Sequence, residues 1–406
     1  MVVEITPGLL SGTITPPPSK SQAHRLIIAA ALAEGESHID NVALSKDITA
    51  TLGCMRALGA VAVPDGTVIS GIGGQRQKFE RLPELDCCES GSTLRFLIPV
   101  ALAVAGGGIF CGQGRLMERP QGPYETLFAE RGIAFVRENG KLRVEGGLNS
   151  GVYRLPGDVS SQFITGLMYA LPLLAGDSKI MSTTPLESSG YVDMTLDALR
   201  AFGMTVEPID GGWRIPGSQR YRARNCAVES DYSQAGFFYA ANLLGSAVEV
   251  SGLNERSAQG DRVIVDYARR LSGAGEVTLD VSQCPDLVPP LAVMAALRDD
   301  ETTHIVGAAR LRIKESDRLD TVTTQLNALG ADIEQGADSL TIRGVSGLHG
   351  GTVSGCNDHR IAMMLAVAAT RADGPVRITG AECVAKSYPD FWDDLARLGG
   401  RVERVE

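Results

Sequence analysis

Pro16-Pro-Pro-Ser-Lys-Ser-Gln-Ala-His-Arg25 is the stretch whose reading decides the fold. Three prolines end an extended segment, because each fixes φ and biases its predecessor away from helix. Ser19 then stands where an N-cap belongs, ahead of the apolar run Leu26-Ile-Ile-Ala-Ala-Ala-Leu-Ala33. Lys20, Ser21 and Arg25 are thereby crowded into the first turns of a helix, where the dipole is positive and N–H groups lack partners. Two cations at that end oppose the usual preference for Asp or Glu, so an anion is expected there. A capped helix with two solvated basic residues is the plainer alternative, and this stretch alone does not separate the two.

Repetition does. A small polar start, an apolar helix, a Gly-type stop and a short β-branched strand recur from Ser19, Ser90, Ser160, Ser230, Asp286 and Asn357. Those starts lie 71, 70, 70, 56 and 71 residues apart by subtraction. Each is followed by an amphipathic helix with a glycine stop (Leu58-Gly-Ala, Glu130-Arg-Gly, Ala201-Phe-Gly, Leu271-Ser-Gly, Leu329-Gly-Ala, Leu398-Gly-Gly) and then a strand. Each unit reads β-α-β-α-β-β, too small to stand alone but able to share a core with its neighbours. The fold class is therefore α/β: six βαβαββ units, three per domain. The expected domains are 19–225 and the two flanking pieces 1–18 plus 226–406, with a crossover in the Arg-rich segment Gly217 to Cys226. The N-terminal strand is expected to pair with the C-terminal half. If the six leading helices pack in parallel, their polar starts converge on the cleft between domains and form a polyanion site.

Composition narrows the function. The chain has 406 residues, a net charge of −10, 44% apolar and 21% charged residues. That acidity argues against nucleic acid and against an anionic membrane surface, since both need a basic face. The longest apolar stretch, Phe96 to Phe110, is interrupted by Pro99 and three glycines and is too short to span a bilayer. No secretory signal is recognisable, so a cytoplasmic location is expected. Eight scattered cysteines form no C-x-x-C pair, so reduced thiols and no metal site are expected. There is no G-x-x-x-x-G-K-[ST], no G-x-G-x-x-G after a strand and no G-x-S-x-G elbow, which removes the common nucleotide and hydrolase readings.

The anion-binding candidates run in chain order. After Lys20, Ser21 and Arg25 come Ser90-Gly91-Ser-Thr-Leu-Arg95, Arg119 beside Pro120, and Ser160-Ser161-Gln162. Later come Lys314-Glu315-Ser-Asp-Arg318, Asp358-His-Arg360 and Ala385-Lys386-Ser387. Taken singly, each also reads as a solvated charge, and Lys314 with Arg318 as an exposed ion-paired helix face. Asp286 and Glu315 are the acid–base candidates, because two carboxylates placed among cations can divide proton transfers. Asp286 also reads as an ordinary N-cap. His24 and His359 are read as supporting or packing residues.

In these motifs the chain resembles the 5-enolpyruvylshikimate-3-phosphate (EPSP) synthase family over essentially its whole length. The resemblance rests on Pro-Ser-Lys-Ser-x-x-x-Arg25, Ser-Gly-Ser-Thr-x-Arg95, Glu-Arg119-Pro, Asp158-Val-Ser-Ser-Gln-Phe, Pro285-Asp286, Lys314-Glu-Ser-Asp-Arg-Leu, Asn357-Asp-His-Arg and Ala385-Lys386-Ser-x-Pro-Asp. It implies a two-domain inside-out α/β barrel and transfer of the enolpyruvyl group of phosphoenolpyruvate to the 5-hydroxyl of shikimate 3-phosphate, with release of phosphate. It implies no metal or organic cofactor. Shikimate 3-phosphate would meet Lys20, Ser21, Arg25, Ser160, Ser161, Gln162, Ser188, Asp286 and Lys314. Phosphoenolpyruvate would meet Lys20, Gly91, Arg119, Gln162, Arg318, Arg360 and Lys386. Asp286 would take the hydroxyl proton, and Glu315 or Lys20 would protonate the methylene carbon.

Three positions depart from the common bacterial pattern: Glu89, Phe96 and Arg310. Two other readings share the fold. A UDP-N-acetylglucosamine enolpyruvyl transferase would carry a reactive cysteine before the loop arginine, and Gly112 to Glu118 contain none. A non-catalytic anion-binding protein would be expected to lack Asp286, Glu315 or Lys386, and all three are present. A monomer is the default oligomeric state.

Overall fold

The computed structural model describes residues 1–74 and 77–405. They form two compact units: Pro18–Glu229, and Met1–Pro17 together with Ser230–Glu406. Each has its own buried apolar core. The chain leaves the inserted unit at Glu229–Ser230 rather than at 225/226, because the strand Cys226–Ala227 pairs in parallel with Glu36–Asp40 of that unit. The segment Gly217 to Cys226 thus lies wholly inside one unit.

Twelve α-helices are present among the described residues: α1 (Lys20–Leu32), α2 (Lys46–Ala57), α3 (Gly91–Ala105), α4 (Gly122–Ala129), α5 (Ser161–Ala170), α6 (Ser189–Ala201), α7 (Tyr232–Leu243), α8 (Ile264–Leu271), α9 (Val288–Ala296), α10 (Arg318–Asn327), α11 (His359–Ala369) and α12 (Phe391–Arg397). The odd-numbered helices lead the six units and are apolar nearly all round; every residue of α9 and α11 is buried. A helix without a polar face has to sit inside. The even-numbered ones are amphipathic, and α6 buries only Val192, Met194, Thr195, Ala198 and Leu199. Strands bury alternate residues, as in Glu36–Asp40 and Lys141–Glu145, so the sheets carry one solvent face. Helices therefore lie inside and sheets outside, and no sheet closes on itself among the described residues.

The third unit shows the plan. Strand Val152–Leu155 runs parallel to Ser178–Ser182, which pairs antiparallel with Gly212–Ile215, which pairs antiparallel with Glu207–Ile209. The second and fifth units repeat it. The sixth borrows its last partner from the other end of the chain: Val2–Thr6 lies between Val376–Thr379 and Arg401–Arg404. The next strand, Ser11–Ile14, opens the fourth unit beside Ala247–Val250. The extended N-terminus does pair with the C-terminal half, in two sheets.

The fourth unit is shortened, which explains the 56-residue spacing. After α8 the chain passes directly to Val277–Asp280, the first strand of the fifth unit, and no closing hairpin intervenes. Its sheet accordingly has two strands where the other five have four. Arg298 holds the short connection, donating to the carbonyl oxygens of Leu271 (2.9 Å), Gly273 (2.8 Å) and Gly275 (2.8 Å) and to Thr303 Oγ1 (2.7 Å). The left-handed glycine expected at 273 sits instead at Gly275 (φ +96), whereas Gly59, Gly132, Gly203, Gly330 and Gly399 all have the positive φ of a helix stop.

Candidate active site

In the inserted unit the first cluster grows from the N-terminus of α1. Ser19 caps it by accepting from the Gln22 N–H. Lys20 Nζ meets Asp47 Oδ2 of α2 at 2.8 Å, both side chains largely buried. Arg25 is buried and nearly fixed: Nε donates to Thr195 Oγ1 (2.9 Å), Nη1 to the Ser21 carbonyl (2.6 Å) and Nη2 to the Tyr191 carbonyl (2.8 Å). Its guanidinium lies 5.2 Å from the Phe96 ring centroid and 5.8 Å from that of Tyr191. Burial lowers its pKa to about 10, against the raising effect of Tyr169 and Tyr191, so it stays charged at neutral pH. Phe96, one of the departures from the family pattern, thus supports a cation of the site.

Helices α3 and α5 pack together, and their starts are cross-linked by Arg95 and Gln162. Arg95 Nη1 donates to Gln162 Oε1 (2.8 Å), and Gln162 Nε2 to Ser92 Oγ (3.0 Å). Ser90 and Ser160 are the caps. A Cβ on Gly91 would lie 2.8 Å from Arg119 Nη1, so the missing side chain is what lets that guanidinium lie on the backbone of the turn. Ser161 is buried at the first position of α5, and Ser188, at the start of α6, has a left-handed backbone (φ 55). Glu89 lies against Gly114.

The second cluster belongs to the terminal unit. Asp286 does not cap α9; it sits in a 3-10 turn, Pro285–Leu287, and α9 begins at Val288. Its carboxylate instead meets three cations: Arg318 Nη1 at 2.8 Å, Arg360 Nη2 at 3.0 Å and Lys314 Nζ at 3.3 Å. Glu315 pairs with Arg318 Nη2 at 2.7 Å. Asp358 caps α11 through the Arg360 N–H (3.0 Å) and, at 2.8 Å, also binds Arg318 Nε. Lys386 Nζ donates to the Asn357 carbonyl at 2.6 Å.

The reading of Lys314 to Arg318 as an exposed ion-paired face fails, since Arg318 is only 1% exposed. Burial opposes its charge, but Asp358, Glu315 and Asp286 more than compensate and hold its pKa above the ordinary value. Lys314 is shifted the other way, because burial outweighs the attraction of Asp286 while Arg318 and Arg310 repel it. Arg310 also donates to the Ser282 carbonyl. Lys314, Arg318 and Arg360 thus pair with Asp286, Glu315 and Asp358 in this unit, an arrangement whose cations can take up anions.

Sequence reasoning missed Asp47, Arg95 and Asp358 as partners. Arg95 and Asp358 lie within the quoted motifs, but only the packing shows what they hold. His24 is a buried supporting residue, with Nδ1 2.7 Å from Thr51 Oγ1, and His359 is buried beside Asp358. Among the described residues no group of three His, Cys, Asp or Glu is placed to hold a metal ion, and all eight cysteines are unpaired.

The family model of EPSP synthase (3-phosphoshikimate 1-carboxyvinyltransferase) matches residues 5–395. The 3-phosphoshikimate 1-carboxyvinyltransferase of Clostridium acetobutylicum is 47% identical, with 98% of each chain covered. That of Clostridium kluyveri is 45% identical, covering 99% of this chain and 98% of the relative. Among solved structures, EPSP synthase from Acinetobacter baumannii superposes with a TM-score of 0.81 at 26% identity, over 99% of this chain and 100% of that one. With match, identity and fold in agreement over nearly the full length, the chain belongs to the EPSP synthase (3-phosphoshikimate 1-carboxyvinyltransferase) family.

Proposed function

We propose that the cationic cluster of the inserted unit and that of the terminal unit both serve one transfer reaction. The overall reaction follows from the family: the carboxyvinyl group of phosphoenolpyruvate passes to the 5-hydroxyl of shikimate 3-phosphate, a step of aromatic amino acid biosynthesis. Two phosphates and a carboxylate have to approach one another, which needs converging cations and helix N-termini. In this reading Lys20, Ser21, Arg25, Ser160, Ser161, Gln162, Ser188 and Lys314 hold shikimate 3-phosphate. Gly91, Arg119, Gln162, Arg318, Arg360 and Lys386, with Lys20, hold phosphoenolpyruvate.

The observation that carries the reading is the Asp286 carboxylate, which is shared by Lys314, Arg318 and Arg360. In this reading that carboxylate takes the 5-hydroxyl proton as the C–O bond to C2 forms. Glu315 or Lys20 protonates the methylene carbon, giving a tetrahedral intermediate. Loss of a methyl proton and of phosphate then restores the vinyl group. We place the enzyme in the cytoplasm as a monomer, and gel filtration at the 42.9 kDa chain mass tests the latter.

Phosphate release from phosphoenolpyruvate, with shikimate 3-phosphate or UDP-N-acetylglucosamine as acceptor, tests the whole reading. Release should require shikimate 3-phosphate and be lost in Asp286→Ala and Lys20→Ala. Full activity of both variants would remove these residues from the mechanism, and turnover of only the nucleotide sugar would overturn the acceptor.

A further inference from the structure

At the start of α7 the terminal unit buries two polar side chains that the transfer itself does not use, Ser233 and Gln234. Asp231 caps the helix, accepting from the N–H groups of Ser233 (2.7 Å) and Gln234 (3.2 Å), so the backbone of both residues is fixed. Consecutive helical side chains diverge by about 100°, and these two reach different neighbours. The Ser233 hydroxyl accepts from Arg360 Nη1, 127 positions along the chain. Gln234 Nε2 donates to Ser387 Oγ at 2.9 Å, 153 positions along. The other end of that amide is idle: Oε1 is buried and has no hydrogen-bond partner among the described residues. A buried polar atom without a partner is a net cost, and a leucine would fill much the same space without it. Packing alone therefore does not account for a glutamine here. Its bond to Ser387 does.

We propose that Gln234 is a positioning residue for the transfer, docking the turn that carries Lys386 onto the helix whose Ser233 holds Arg360. This rests on the assignment of Arg360 and Lys386 to phosphoenolpyruvate made above. Lys386 ends the 3-10 turn Ala381–Lys386, and Ser387 follows it, its N–H donating to the Val384 carbonyl at 3.0 Å. A lysine carries its charge on a flexible four-carbon stem, so the charge is placed only if both ends of the stem are held. The outer end is held by the carbonyl of Asn357, two residues ahead of α11, at 2.6 Å. The inner end is held through Ser387 by Gln234. Arg360, on α11, is held by Asp286 Oδ2 at 3.0 Å and by Ser233. Two adjacent residues of one capped turn thus brace two cations from separate stretches of chain. A ligand with both a carboxylate and a phosphate needs its cations held in that way before it arrives.

Steady-state kinetics and urea unfolding of purified Gln234→Leu, Ser387→Ala, the double variant and Lys386→Met test this. Each of the first two should raise KM for phosphoenolpyruvate about fivefold and leave kcat and KM for shikimate 3-phosphate within about twofold. Both delete the same bond, so the double variant should be no worse than the more impaired single one. Gln234→Leu also removes the idle oxygen, so its urea midpoint should stay within about 0.3 M of wild type. A residue that only supports the fold would move the midpoint and both KM values together, and that result overturns the positioning role. Additive effects in the double variant overturn the link through Ser387. If Lys386→Met is impaired while Gln234→Leu and Ser387→Ala bind phosphoenolpyruvate normally, the positioning role falls and the site assignment stands. If Lys386→Met is itself normal, the assignment falls and takes the proposal with it. Should Gln234→Leu fail to fold, Ser387→Ala, which deletes only a hydroxyl, decides.

Discussion

Arg298 replaces a missing piece of architecture, and deleting it tests that account. The fourth unit has no closing hairpin, and the turn from α8 into the next strand is pinned by this one buried side chain. Arg298→Ala strips four acceptors, but they are not equivalent. Gly273 and Gly275 are exposed, so water replaces the arginine at their carbonyls for little cost. Leu271 and Thr303 are buried, and each would be left unsatisfied at about 1–3 kcal/mol. Loss of a cation at the C-terminus of α8 adds about 0.3–1 kcal/mol. The sum, about 2–7 kcal/mol, falls on the terminal unit alone. Trp392 is buried in that unit and Trp213 lies in the other, so the two single-tryptophan backgrounds report on them separately in urea. With a urea slope of about 3 kcal/mol/M, the Trp392 midpoint should fall by about 0.8–2.3 M. The Trp213 transition should stay put. Arg298→Lys restores the charge but not the fork, and should recover no more than about 1 kcal/mol. A Trp392 shift below about 0.3 M, or full rescue by lysine, would refute the reasoning.

Other outcomes follow from the same geometry. Arg318→Met leaves Asp358 buried without its guanidinium and should cost the terminal unit about 3–5 kcal/mol besides abolishing turnover; a folded, active variant would show that the three-carboxylate contact is dispensable. Gly91→Ala puts a methyl 2.8 Å from Arg119 Nη1, so KM for phosphoenolpyruvate should rise about tenfold, measured against an unchanged KM for shikimate 3-phosphate. Asp261 contributes a pH term of its own. With a folded pKa of about 7 against an ordinary 3.8, the native state holds a proton that the unfolded state has released. Stability of the terminal unit therefore falls as pH rises from about 4 to about 7, and Asp261→Asn should flatten that slope in urea midpoints taken at pH 5, 6 and 8. Removing residues 1–15 deletes one strand from each of two sheets of the terminal unit, and its Trp392 transition should disappear while that of Trp213 persists.

The repeat was legible because its causes are local. A serine or aspartate before an apolar run, a glycine where a helix must turn left-handed, and a β-branched strand after it are choices made within a few residues. The same holds for the cationic start of α1, since Lys20 and Arg25 have no acid beside them in its first turn. Even the short spacing between Ser230 and Asp286 already recorded the lost hairpin, although nothing local said which element was gone.

What the sequence determined by itself is the six-fold plan and the alternation of apolar with amphipathic helices, both of which depend on contacts a turn or a strand apart. Only the tertiary structure decided partnership. Asp286 left the N-cap role to meet Lys314, Arg318 and Arg360, residues 28, 32 and 74 positions away. Phe96 came under Arg25, and Val2–Thr6 completed a sheet begun at the far end of the chain. Such pairings are set by which surfaces bury each other once the units stack, and a buried charge takes whichever opposite charge that stacking delivers.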